Sequence, residues 1–257
     1  MPNFPLLFPN SIFKTDIVVI GTIFFTGLIV LIVMRMAVSK MDMRRPRGVQ
    51  NFIEWAVDFT ANTARDTMPS ETAVRFVLPL AFFTVFFLFI ANWLGLIITV
   101  AVKLHHPIPA LGLTATKLAN VNPKGTMMLF DSPTANMSTA LGLAVMVWII
   151  ANARGLRHPG LWFRHLFSPN PLGLLEEITN PLTHGMRLFG NIFAGEALLQ
   201  VMLNAPFALG WIPWTFPLIL LWLIYAGFVA TVQAYVFMVL LTLYIGNKSF
   251  DGHGSHA

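Results

Sequence analysis

The chain has 257 residues, of which 56% are apolar and 11% charged, and its formal net charge is +5. Soluble domains carry roughly 25% charged residues, so an ordinary soluble globule is excluded. The recurrence of apolar runs long enough to span a bilayer points instead to an all-α polytopic membrane protein. The basic residues gather between those runs, as they do in cytoplasmic membrane loops, and nucleic acid is therefore set aside as a partner. With no cysteine in the chain, disulfides, thiolate metal sites and cysteine nucleophiles are excluded.

The opening MPNFPLLFPNSIFKTD lacks the positive start of a signal peptide, and the apolar run after it reads as a retained signal-anchor helix. That run, 17–34, is 18 residues without a charge, enough for one span. RMAVSKMDMRRPR follows, with Arg35, Lys40, Arg44, Arg45 and Arg47 against Asp42. This positive cluster places the segment in the cytoplasm and the N-terminus outside. Residues 48–67 carry Val49, Phe52, Ile53, Ala56 and Phe59 at helical spacing among polar residues. They read as an amphipathic surface helix on the cytoplasmic face, or as a soluble-type helix packed on its neighbours.

The second span is expected over 76–102, with Asn92 as its one strongly polar residue. A loop rich in Pro, Gly and Asn follows on the external side, carrying three lysines together with His105 and His106. The third span is expected over 134–152, and NARGLRHPGLWFRH returns a basic loop to the cytoplasm. Two longer segments, 172–204 and 211–245, have 33 and 35 residues. Each is about 50 Å long as a helix, against roughly 30 Å of hydrocarbon, so each must tilt, kink or project. The join NAPFALGWIPW has the Pro and Gly of a tight external hairpin. The tail 246–257 ends in the cytoplasm. The chain thus reads as one membrane domain of about five spans plus the surface helix, without internal repeats.

Between Arg164 and Lys248 the formally charged residues are Glu176, Glu177, Arg187 and Glu196. A charge at mid-bilayer costs at least ~2.5 kcal/mol, and such groups usually face the bundle interior or a watery path. At 100° per residue, Glu177, Asn180, His184, Arg187 and Asn191 fall within an arc of about 80°. Glu196 and Gln200 share a face at i, i+4, and Glu196 lies about 180° from Arg187. The helix thus carries two offset polar faces, one rising from the cytoplasmic end to Arg187, the other starting beyond it. Plainer roles stand beside this one: His184 bonded to a backbone carbonyl, Arg187 as ion-paired helix glue, Glu196 as a neutral hydrogen-bonded acid, and Asn92, Gln233 and the tyrosines as interhelical hydrogen-bonding groups.

RLFGNIFAGE (187–196), with TVQAY (231–235) on the last helix, closely resembles subunit a of the F-type ATP synthase. RPRGVQNFIEWAVDF, FIANWLGL, SPTANMSTALGLAVMVW and LLEEITNPL are similar to stretches of its bacterial members, so the likeness runs over roughly residues 15–250. The resemblance implies that Arg187 is the essential arginine and Gln233 the glutamine of the last helix, with Tyr235 where phenylalanine is usual. It implies a stator packed against a ring of c subunits, with b subunits of the peripheral stalk as further partners. Two offset half-channels would carry protons, the external one lined by Glu196, Asn191, Gln233 and Asn92, with Gln200 on the Glu196 face, the cytoplasmic one by Glu176, Glu177 and His184. Where some members pair the Glu196 position with a histidine of the last helix, this chain has Tyr225, Ala226 and Gly227. His184 lies outside the motif. The resemblance implies a bacterial plasma membrane location and ATP chemistry on other subunits. No phosphate loop is present, and neither cofactor nor metal is expected. A Na⁺-translocating version of the same subunit, an unrelated transporter or channel, and a passive scaffold are the competing readings.

Overall fold

The computed structural model describes residues 6–7, 15–39, 48–98, 100–103, 126–130, 132–167, 172–203 and 216–249. Among them are seven α-helices: α1 (Ile17–Val38), α2 (Val49–Thr67), α3 (Glu71–Ile97), α4 (Met137–Gly155), α5 (Pro159–Phe167), α6 (Leu172–Leu203) and α7 (Phe216–Asn247). A 3-10 turn, Pro133–Ala135, leads into α4. Two short antiparallel ribbons lie outside the helices: β1 (Leu6–Leu7) with β2 (Thr15–Asp16), and β3 (Val100–Lys103) with β4 (Thr126–Phe130). The fold is that of an all-α polytopic membrane protein. Four helices, α1, α3, α4 and α7, are long and apolar enough to cross a membrane. The sixth helix matches α7 in length, at 32 residues each, but carries the four charges noted above.

The helix ends follow local chemistry that hydropathy alone does not carry. The second span starts at Glu71 rather than Phe76 because Ser70 caps it: its side chain accepts from the Ala73 N–H at 3.2 Å, and Glu71 stands in the positive first turn. It ends at Ile97 rather than Val102, since Val100–Lys103 pairs with Thr126–Phe130. The third span starts at Met137, where the Asn136 side chain accepts from the Ser138 N–H at 2.9 Å, and runs on to Gly155. Within the expected basic loop, Pro159 opens helix α5, a position at which a missing N–H costs nothing. The last span starts at Phe216. Its expected residues 211–215, like His105, His106 and the cluster 40–47, lie outside the described residues.

The core is built from small residues at helical spacing. Ala226, Ala230 and Ala234 of α7 and Ala81, Leu88 and Ala91 of α3 are buried, these two helices form the most extensive helix pair, and α4 packs on α6. Small side chains let backbones approach where lipid supplies no hydrophobic drive. At Gly185 a Cβ would meet the Leu141 Cα at 3.0 Å, so α6 and α4 nearly touch there. Around this core, large apolar side chains such as Phe24, Leu31, Ile97, Ile178 and Phe228 are exposed, which suits hydrocarbon rather than water.

Helix α2 has three faces. Ile53, Ala56, Thr60 and Ala64 are buried, and the helix packs on α3 and α7. Glu54, Asp58 and Arg65 form an exposed polar side. Between them Phe52, Trp55 and Phe59 make an exposed aromatic ladder, with centroids 5.9 and 5.5 Å apart, that ends on Tyr235 of α7 at 5.5 Å. Both sequence readings of this segment thus have a counterpart, a packed side and an amphipathic exposed side.

Candidate functional site: Arg187 on the exposed face of α6

Arg187 stands mid-way along α6 at an exposed position, with Thr183 and Asn191, one turn away on either side, exposed beside it. The next residue, Leu188, points into the core and is fully buried. Among the described residues no hydrogen bond or ion pair holds the Arg187 guanidinium. A permanently charged group thus projects from a helix whose other exposed side chains are mostly apolar. Ion-paired helix glue, one of the plainer roles, finds no partner among these residues.

The rest of the stripe does not stay together. His184 is 60° from Arg187 on an ideal helix, but the edge of the core falls between them. Its ring is 2% exposed and packs on Phe237 at 3.9 Å and Tyr244 at 5.6 Å. Neither ring nitrogen has a hydrogen-bond partner among the described residues, so the backbone carbonyl considered for it is not supplied by them. Asn191, one turn beyond Arg187, is exposed and donates through Nδ2 to Oε1 of the buried Gln233 on α7, at 2.7 Å. The structure therefore brings together the two positions that the sequence placed on separate helices. Arg187, Asn191 and Gln233 form one polar locus at the α6–α7 seam.

Glu196 is half-buried, further along α6. Beside it the Trp222 indole N–H donates to the Gly195 carbonyl at 3.2 Å, and Trp222 stacks near Tyr225, with centroids 5.1 Å apart. This aromatic pair occupies the region where the sequence lacks a histidine. The side chain of Gln200 lies outside the described residues.

Asn92 is fully buried on α3. Its Nδ2 donates to the Ala230 carbonyl at 3.2 Å, and its Oδ1 accepts from the Thr134 hydroxyl at 2.8 Å. Here it joins α3, α7 and the 3-10 turn, the interhelical role weighed for it. Glu176 is exposed at the start of α6. Glu177, its neighbour, is ion-paired with Lys248 and accepts from Trp148 and Asn152. The sequence reading gives Lys248, Trp148 and Asn152 no role at the site. Only the i, i+4 spacing of Trp148 and Asn152 on α4 gave a local sign of them.

The chain matches the family model described as ATP synthase A chain over residues 20–246. It is 34% identical over 237 residues to ATP synthase subunit a of Limosilactobacillus fermentum, covering 89% of each chain. It is 31% identical over 249 residues to that of Staphylococcus carnosus, covering 93% of each. With the Enterococcus hirae protein of the same name it shares 33% identity over 235 residues, 88% of this chain and 89% of the relative.

Proposed function

The chain belongs to the ATP synthase A chain family, and from that membership we propose that it is the membrane stator of a proton-driven rotary synthase, with Arg187 as its fixed counter-charge. One observation carries this reading: Arg187 is an exposed guanidinium, without a partner among the described residues, on a helix whose other exposed side chains are mostly apolar. Such a group needs an anion that comes and goes. A ring of c subunits, each with a membrane carboxylate, supplies one.

The physics is a matter of which form of that carboxylate is favoured where. In lipid the acid is neutral, because an isolated anion is strongly desolvated. Facing a guanidinium about 4 Å away it gains about 4 kcal/mol as the anion at an effective dielectric of 20. The proton leaves on one side of Arg187, and the carboxylate takes up another on the far side. Arg187 stays protonated at any biological pH and repels a proton crossing directly between the two paths. The membrane potential contributes about 2.3 kcal/mol per charge per 100 mV.

The external half-channel in this proposal runs by Glu196 to Asn191 and Gln233, and the cytoplasmic one runs from Glu176 past His184. The positive stretches at 35–47 and 154–164 support a cytoplasmic C-terminus and an external N-terminus. The bacterial origin of the relatives supports a plasma membrane location. ATP is made and split on other subunits.

Cross-linking tests the interface, and the absence of native cysteine makes it direct. Single cysteines at the exposed Thr183 and Ala194, which lie nearest Arg187 around the helix, should cross-link to cysteines on a c-subunit helix, whereas one at the buried Leu188 should not. Failure at both exposed positions would remove the ring from this face.

A further inference from the structure

A second polar cluster lies near the start of α6, around Glu177. Its carboxylate receives three donors from three residues: Lys248 Nζ on Oε1, and Trp148 Nε1 at 2.8 Å and Asn152 Nδ2 at 3.2 Å on Oε2. The Asn152 amide is saturated as well. Its Oδ1 accepts from Lys248 at 2.6 Å and from the Trp162 indole at 3.0 Å, while its Nδ2 also donates to the Trp148 carbonyl at 3.0 Å. The Lys248 and Glu177 side chains are only 9% and 14% exposed. One carboxylate thus ties together α4, α6 and the residues just after α7, and Asn152 adds α5 through Trp162.

The neighbouring contacts hold the same junction. Arg154 of α4 lies over the Phe76 ring of α3, 4.7 Å from its centroid, and its Nε donates to the Ser249 hydroxyl at 3.3 Å. A Cβ at Gly155 would meet the Trp162 ring at 2.7 Å, so α5 cannot move towards α4. The lock also sits where α6 is weakest. Pro181 lacks an N–H, which leaves the Glu177 carbonyl without its i+4 donor and loosens the first turns of the helix that carries Arg187.

We propose that Glu177 is a positioning residue and not a proton carrier: with Lys248 it locks the start of α6 to α4 and to the end of α7, and so fixes the height at which Arg187 meets the ring. This rests on the stator reading. The two adjacent glutamates divide the work. Glu177 has both oxygens committed, whereas the exposed Glu176 makes no side-chain bond among the described residues and faces solvent.

The test compares ATP-driven proton pumping in inverted vesicles for Lys248→Met, Glu177→Gln, the double variant Glu177→Gln/Lys248→Met, and Lys248→Arg, with assembly of the whole complex checked for each. Lys248→Met strands a buried carboxylate and should cut pumping roughly tenfold or more. The double variant removes both charges and should recover most of it, with the wild-type pH profile, and Lys248→Arg should pump nearly as well as wild type. A relay role for Glu177 gives the opposite pattern, in which the double variant stays as slow as Glu177→Gln or its pH profile shifts. That result, or wild-type pumping in Lys248→Met, overturns the proposal. Arg187→Ala run alongside separates the two readings: if it still pumps, the stator reading fails whatever the lock variants do.

Discussion

Asn191 on α6 and Gln233 on α7 are joined by a 2.7 Å hydrogen bond, one helical turn beyond Arg187. The bond spends the Gln233 carbonyl and leaves its amide N–H groups for other acceptors. It also ties the two longest helices together beside the charge that must face the ring.

Replacing Gln233 with Leu should therefore slow pumping and lower stability by about 1 kcal/mol, the worth of one interhelical hydrogen bond. Asn191→Leu should do the same. In a double-mutant cycle read by pumping rate and by melting of the purified complex, the two effects should overlap rather than add. Full additivity would mean that the bond does not couple the sites.

Asn92 makes a different prediction, because its bonds run inward. Asn92→Leu removes two buried interhelical bonds, although the Ala230 carbonyl keeps its place in α7 and the Thr134 hydroxyl keeps Ser132. Each lost bond is worth about 0.5–1.5 kcal/mol. The variant should assemble poorly or melt earlier, and whatever complex survives should keep the wild-type pumping per assembled copy. Normal melting with reduced conductance would instead make Asn92 a wall of the proton path.

Glu196 lies on the far side of α6 from Arg187, in the helix frame read from the sequence. Glu196→Gln keeps the shape and removes the titrating group. Passive proton conductance through the membrane sector should fall while the complex still assembles. Unchanged conductance and coupling would take Glu196 out of the external path.

The legibility of this chain depends on which interactions are local. Helix α1 and the bulk of α7 follow from uninterrupted apolar runs. The start of α3 does not, since Glu71 and Arg75 break the apolar signal and the deciding feature is a cap at Ser70. Helix α5 hid for the same reason, as Arg164, His165 and the preceding His158 read as a loop. The stripe from His184 to Arg187 was visible as spacing, but spacing cannot say where the core ends. Burial splits two residues that an ideal wheel puts side by side. Lys248 and Glu177 are 71 positions apart, and no period connects them. The bond between Asn191 and Gln233 spans 42 positions, and although spacing marks Asn191 and apolar surroundings mark Gln233, no period pairs them.

The central claim is that the Arg187 charge drives ring carboxylates to ionise, and ATP-driven proton pumping by an Arg187→Ala complex tests it most directly. Assembly and ATP hydrolysis in detergent should survive, and pumping should be lost, with Lys unable to restore it fully because an ammonium lacks the planar, fully protonated fork of the guanidinium. Wild-type pumping by the assembled Arg187→Ala complex would contradict the account.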